Sequence, residues 1–400
     1  MTRAPAFPMI LASGTTVGVI GASARAAVQS LARAGLSAWG VDLFGDVDGR
    51  RWAPIEVCPY NEYPQGLLRK AQRFPPSLFL YTGGLENYPD LIATLMTFHQ
   101  LWGNDPSVVR TVRDPWLLTQ RFPEIMAPVL PRGQPCPDTG RWLRKPLRSG
   151  GGLGIRWAKV AELPDQRHYL QLYMEGQPAS AVCFDERLLG ITSQWIGQSW
   201  LHASGFVWCG NIGPWMPDDR LWSLCQQCCQ NFQRAFGLRG VWGFDFVYHQ
   251  GVIRVVEINP RYPASVEVLE RASEQSLLAP YARPCMHSSW LVGKAIYYAP
   301  TDLIFPHTGP WLDTLAEPPC PWQWTSYADI PAAGTLIRRH QPVLTLLARG
   351  RTISHCLNQL FDLAGTLDQL LAAARSERLP SPVSHVYEPD ENGNKSNSTP

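Results

Sequence analysis

Between Val241 and Arg261 the chain alternates apolar and polar residues on either side of a glycine, which strongly favours a β-hairpin. Two β-rich runs, Val241 to Tyr248 and Val252 to Asn259, flank a short connection containing Gly251, and this predicts a three-residue loop with a left-handed glycine. If that loop is centred on Gln250 or Gly251, Asp245 falls opposite Val255 or Glu257. Side-chain parity then sends Asp245, Glu257 and Asn259 to one face. Phe244, Phe246, Val256 and Ile258 take the other face, which is wholly apolar, so one side packs while the other presents oxygens. A loop of even length would break this arrangement. Two carboxylates and an amide form a partial cage for Mg2+, or Mn2+, with water and phosphate oxygens completing the shell. The competing reading is an edge hairpin with solvated carboxylates.

About a hundred residues upstream lies the stretch Trp142 to Arg156, in which Lys145 ends a predicted strand and Ser149, Gly150, Gly151, Gly152 and Gly154 form a glycine-dense loop. Glycines let backbone N–H groups approach phosphate closely, and Lys145 adds a point charge. The spacing matches neither the Walker loop nor the dinucleotide fingerprint, so a plain surface loop competes. Tyr169 to Gly176 follows as an alternating strand running into a polar hinge.

The order of these pieces resembles the ATP-grasp superfamily: lysine with glycine loop, hinge strand ending Glu175-Gly176, then the Asp245 strand and Glu257-Ile258-Asn259-Pro260-Arg261. Gly237 to Glu267 is similar to ATP-dependent carboligases related to biotin carboxylase, and the ordered match runs from about Val17 to Leu360. The resemblance implies a mixed α/β and α+β multidomain chain with an ATP-grasp fold. It also implies ATP held between two subdomains, with Lys145 on the phosphates, Gly150 to Gly154 as a flexible lid, and the Gln171, Leu172, Tyr173 and Met174 backbone against adenine. Asp245, Glu257 and Asn259 take the metal, and Arg261 stands by the carboxylate or acyl phosphate. The activity implied is transfer of the γ-phosphoryl group to a carboxylate, followed by attack of an amine or another nucleophile; Lys145 and Arg261 carry the charge. Relatives linked to pterin-dependent one-carbon metabolism suggest a role in cofactor biosynthesis.

The chain departs from the family pattern at three places. An Asp-Lys pair that commonly opens the domain is replaced by Val112-Arg113-Asp114, so Arg113 is the substitute phosphate ligand. Pro178 stands where a ribose-binding carboxylate is common, which leaves Glu175 as the candidate. Gly243 precedes Asp245 where some ligases place an arginine, shifting the developing charge onto Arg261 or Arg239.

Thr16 to Asp42 reads as a βαβ unit, with a turn at Gly21 and helix Ala26 to Ala34; Asp42 stands where a dinucleotide-binding acid would, but only one of three fingerprint glycines is present. By resemblance this region is a domain preceding the ATP-grasp core, and Ser23 and Arg25 face the acceptor substrate. Gly83 and Gly84 follow a second predicted strand, Ser77 to Tyr81, at the end where ligands gather in α/β sheets; Glu86 reads as a helix-start carboxylate. Gly205 to Pro214 reads as a loop closing over the second substrate, with Asn211 and Gly213 as contacts.

Four hundred residues exceed one core, and a net charge of +2 supplies no electrostatic case for nucleic acid or a membrane surface. The expected division is a flexible 1–14, a Rossmann-like 15–108, an ATP-grasp 109–295, a β-rich cap 296–378 and a disordered tail 379–400. Ten scattered cysteines fit buried thiols in a reducing compartment, hence the cytoplasm. Cys225, Cys228 and Cys229 lie in a segment of helical periodicity in which Leu221, Leu224, Cys225, Cys228, Phe232 and Phe236 share one face. Clustered tryptophans (Trp195, Trp200, Trp208, Trp215, Trp222) serve core packing or line an aromatic pocket. The favoured function is a carboxylate–amine ligase acting on small molecules, with a homodimer compatible; a non-catalytic ATP sensor and a Rossmann oxidoreductase are the alternatives.

Overall fold

The computed structural model describes residues 11–279 and 282–376, so the expected tail at 379–400 and most of the expected flexible N-terminus fall outside it. The first unit is a parallel sheet of β1 (Thr16–Ile20), β2 (Ser37–Asp42), β3 (Ile55–Val57), β4 (Leu78–Tyr81) and β5 (Gln100–Leu101), in the order β3-β2-β1-β4-β5. Both faces are covered, as a parallel sheet requires. Val17 and Val19 pack under the helix Arg25–Arg33, while Ile20, Trp39 and Phe79 meet Leu67 and Ile92 on the other side. Gly18 is required here, because a Cβ would sit 2.2 Å from the Trp39 ring.

A small antiparallel sheet of β6 (Trp142–Pro146), β7 (Arg156–Trp157) and β8 (His168–Leu172) follows, ordered β7-β6-β8. It carries the glycine loop between β6 and β7. The large sheet then takes β9 (Gln177–Phe184), β10 (Arg187–Ile196), β11 (Trp208–Gly213), β12 (Val241–His249), β13 (Val252–Asn259) and β14 (Leu291–Tyr298). Of the remaining strands β15 (Leu303–Ile304), β16 (Tyr327–Ala328), β17 (Leu336–Ile337) and β18 (Pro342–Gly350), β16 and β18 join the same sheet, while β15 pairs with β17. Its order is β13-β12-β9-β10-β11-β14-β18-β16.

Two expectations change. The boundary placed between residues 295 and 296 cuts through β14, whose partners are β11 on one side and β18 on the other. The cap therefore shares one sheet and one core with the preceding unit, with Ile212, Leu346 and Leu360 in the same cluster. Gly205 to Pro214 is mostly strand, since Trp208–Gly213 lies between β10 and β14. The cysteine helix, Asp219–Phe236, buries Leu221, Cys225, Cys228 and Phe232 of the expected face, leaves Leu224 and Phe236 half-buried, and buries Cys229 in addition. A single helix, Ile353–Ser376, closes the described chain. Among the described residues no helix is long and apolar enough to cross a membrane.

Candidate active site

The hairpin turns through two residues, Gln250 (φ 47°) and Gly251 (φ 77°), with His249 opposite Val252. Two left-handed residues in succession suit the strand twist. A loop of this length would place Asp245 opposite Val256, and the fold corrects it with a β-bulge: the register shifts between Asp245 and Phe246, so Phe246 pairs with Val255 and Asp245 with Glu257. The bulge also exchanges neighbours. Val255 is fully buried beside Phe244, Phe246 and Ile258, whereas Val256, expected on that face, lines the cleft.

Strand pairing carries the polar face across the large sheet. Glu257 lies opposite Asp245, Asp245 opposite Ser180, and Ser180 opposite Thr192; Gln194 lies opposite Asn211, and Asn211 opposite Lys294. All of these side chains except that of Thr192 line the floor of a cavity of about 1140 Å3 that reaches all three parts of the chain. At its acidic end Asp245 accepts from Gln194 Nε2 at 3.0 Å and from Asn259 Nδ2 at 3.0 Å. Burial, with Glu257 as neighbour, pushes the Asp245 carboxyl up to about 7. Glu257 moves the opposite way despite burial, because Arg113 and Lys145 favour its charged form.

The cations converge on that pair. Lys145 is buried at the end of β6 and donates to Gln171 Oε1 at 2.9 Å, while Gln171 Nε2 donates to the Val256 carbonyl at 3.2 Å. Arg113 reaches Glu257 Oε2 at 3.3 Å and the Ser149 carbonyl at 3.2 Å, tying β13 to the glycine loop. Arg261 donates to Asn259 Oδ1 at 3.0 Å and to Glu86 Oε1 at 3.1 Å. Glu86 does stand in the first turn of a short helix, Leu85–Asn87, but it is also a buried partner of Arg261, and its Oε2 has no hydrogen-bond partner. Tyr81 and Asn104 fix the preceding peptide by donating to the Pro260 carbonyl at 2.7 and 3.1 Å.

The glycine loop lies over this cleft. Ser149, Gly150, Gly151 and Gly152 line it, Trp208 N–H donates to the Gly151 carbonyl at 2.9 Å, and a Cβ on Gly152 would lie 1.8 Å from the Phe206 carbonyl oxygen. Gly154, expected to line it too, packs against Pro146 at positive φ.

Residues 112–265 match the ATP-grasp domain family. That segment is an ATP-grasp domain. The chain's fold is shared with N5-carboxyaminoimidazole ribonucleotide synthetase from Thermus thermophilus (TM-score 0.61, 14% identity, covering 88% of this chain and 98% of that one). It is also shared with the biotin carboxylase domain of 2-oxoglutarate carboxylase from Hydrogenobacter thermophilus, a structure with MgADP and bicarbonate (TM-score 0.64, 11% identity, 88% and 89% covered). Phosphoribosylamine–glycine ligase from Thermotoga maritima is similar at TM-score 0.59 and 13% identity, with 88% and 97% covered. No curated protein matches the sequence.

Several residues expected in the ATP-grasp site lie elsewhere. Arg25 is fully buried and bound by Glu267 and Asp329, so it cannot face an acceptor, whereas Ser23 does line the cavity. Gly83 lines it beside the Arg261 guanidinium, but Gly84 turns away at φ 93° against Tyr63. Asn211 lines the floor, and Gly213 packs on Thr192. Glu175 is exposed at the surface, 4.0 Å from Arg141, and does not line the cavity. The hinge backbone is partly committed, since Leu172 N–H donates to the Pro128 carbonyl and Tyr173 N–H to that of Arg141. That leaves Met174 as the hinge position with a free N–H beside the cavity. Asp42 accepts from the N–H groups of Ala24, Phe44 and Gly45, which occupies the oxygens a dinucleotide ribose would need. Gln194, Ser180 and Glu86 were missed from sequence; the polar positions of β9 and β10 could have indicated the first two.

Proposed function

We propose that the protein is an ATP- and Mg2+-dependent ligase that activates a substrate carboxylate as an acyl phosphate for attack by an amine. The observation that carries this reading is the meeting of Asp245, Glu257 and Asn259 with Lys145, Arg113 and Arg261 in one cleft of an ATP-grasp domain. The structural neighbours named as synthetase, carboxylase and amine–glycine ligase support it.

The residues fit a divalent ion. Two carboxylates and an amide carbonyl are hard oxygen donors, and Glu257 keeps its side chain 35% exposed towards the cleft. Among the described residues no group of three or more His, Cys, Asp or Glu is placed to hold a metal alone, so phosphate oxygens and water would complete the shell. Asn259 Oδ1 accepts from Arg261 Nη2, so ligation through that oxygen requires the amide or the guanidinium to turn. Bound Mg2+ would neutralise phosphate charge and orient the γ-phosphoryl group.

The chain supplies the rest by position and charge. Lys145, held by Gln171, places one positive charge at the phosphate end. Arg113 supplies the second and links it to the loop at Ser149. Arg261 presents a planar guanidinium suited to a carboxylate, and Glu86 fixes its orientation from behind. The glycine loop covers the reacting groups, which protects an acyl phosphate from water. The test is incubation with MgATP, a panel of carboxylic acids and hydroxylamine. ADP and hydroxamate should form together with at least one acid, and ADP formation absent for every acid would remove the reading.

A further inference from the structure

The part of the cavity beneath the loop after β2 has a chemistry of its own, and its interpretation rests on the ligase reading only for the name acceptor. Four aspartates meet there, and three are fully engaged. Asp42 accepts three backbone N–H groups, Asp48 accepts those of Asp329 and Ile330 beside Arg25, and Asp329 takes Arg25 at Nε (2.9 Å) and Nη2 (2.7 Å). The nearby cations are likewise spent, because Arg25, Arg271 and Lys294 all bind Glu267. Asp46 is different. It is 3% exposed, its Oδ2 has no hydrogen-bond partner, it does not cap the short helix it precedes, and it lines the cavity. A buried acceptor left without a donor costs about 1–3 kcal/mol, so a donor from outside the chain is the natural partner.

The walls around it are apolar. Leu43 and Phe44 continue the same loop, Tyr60 meets Phe44 edge-on with ring centroids 6.3 Å apart, and Pro331 and Leu336 approach from the cap. Phe44, Tyr60 and Leu336 are 37, 57 and 52% exposed, a large apolar surface facing a cleft. Burial and the neighbouring Asp329, Asp48 and Asp42 hold the Asp46 carboxyl well above its ordinary range, so it ionises only when a cation comes to it. Asn211, on the sheet floor of the same cavity, has a buried Oδ1 that is also without a donor.

We propose that this corner is the acceptor subsite, and that it takes a molecule with an aromatic or flat apolar body bearing an amine, whose N–H groups bind Asp46 while Phe44 and Tyr60 hold the body. Bicarbonate or a bare amino acid would leave those walls wet. Asp46 is then a specificity residue, set on a different element from the strands that carry the phosphate and metal ligands.

The test needs no turnover. Benzylamine and its near-isostere benzyl alcohol are titrated into the full chain without nucleotide, followed by calorimetry or tryptophan fluorescence. Benzylamine should bind at least tenfold more tightly, Asp46→Asn should abolish that preference, and Phe44→Ala should weaken both probes alike. The Asp46 side chain holds no bond that Asn would break, and unchanged binding of MgADP shows that the variant is folded. Equal binding of amine and alcohol, or a preference that survives Asp46→Asn, overturns the proposal. If the preference holds but no acid supports ADP formation, the ligase reading fails and the amine subsite stands. If turnover is found without amine preference, the subsite fails alone.

Discussion

At the scale of single residues, the acidic pair on the hairpin sets the strictest requirements. Glu257 sits between Arg113 and Lys145, and its charge balances theirs. Glu257→Gln keeps the size and removes that charge, so turnover should fall by at least about a hundredfold, equivalent to roughly 2.7 kcal/mol of transition-state stabilisation. Wild-type ADP production by the variant would show that the hairpin is not the metal site. Asp245 makes a separate prediction. Its carboxyl titrates at about 7, so it is largely protonated at pH 6 and largely ionised at pH 8. Mg2+ must displace that proton. Affinity for Mg2+ should therefore rise by up to about tenfold per pH unit below 7 and level off above it. Calorimetry at pH 6 in buffers of differing ionisation enthalpy should show about one proton released per ion, and an affinity flat between pH 6 and 8 would contradict the assignment. Alternation along the hairpin puts Asp245, Glu257 and Asn259 on one face, because it fixes which side a strand residue takes, whereas the family resemblance assigns Lys145 and Arg113 to the same cleft. Neither could place Arg25 or Glu86, whose partners lie 242 and 175 residues away, at Glu267 and Arg261.

At the scale of elements, legibility depended on how local the cause was. The hairpin and the cysteine helix carry their periodicity within themselves. The bulge at Val256 does not, since it arises where Val255 must bond to the Ile125–Ala127 segment and fill the core behind β12. For the same reason Trp208–Gly213 read as a loop: its glycines weaken β propensity, and only pairing with β10 and β14 makes it a strand. The glycine loop is a further case, because its conformation depends on the Phe206–Trp208 segment. Gly152 combines φ +75° with a backbone oxygen where a Cβ would stand. Gly152→Ala should add strain of about 1–3 kcal/mol to the docked loop, which corresponds to about 5- to 150-fold. The expected result is a rise in the KM for ATP within that range with little change in the unfolding midpoint. A variant with unaltered KM would mean that the loop need not dock on Phe206 for ATP to bind.

At the scale of the whole molecule, three parts of the chain are joined by a buried ionic network centred on Arg25. From the helix Arg25–Arg33 its guanidinium reaches Glu267 on the helix Ser265–Ser273 and Asp329 beside β16, and Lys294 of β14 donates to the same Glu267 at 2.8 Å. The network holds the N-terminal sheet against the large sheet, and although Lys294 and Asp329 reach the cavity, its centre at Arg25 and Glu267 lies behind the cavity wall. Removing the central cation leaves the Asp329 and Glu267 carboxylates with too little compensation away from solvent. Arg25→Met should therefore destabilise the fold by about 3–5 kcal/mol, read as a lowered denaturation midpoint. Below that midpoint the KM for the acceptor should stay within about twofold, whereas an acceptor-binding arginine would raise it sharply. Because the cost comes from uncompensated charge and not from lost volume, Arg25→Met combined with Glu267→Gln should be less destabilising than the sum of the two single changes. A strictly additive double variant would mean that Arg25 acts by filling space, and that the three parts are held together by their apolar contacts alone.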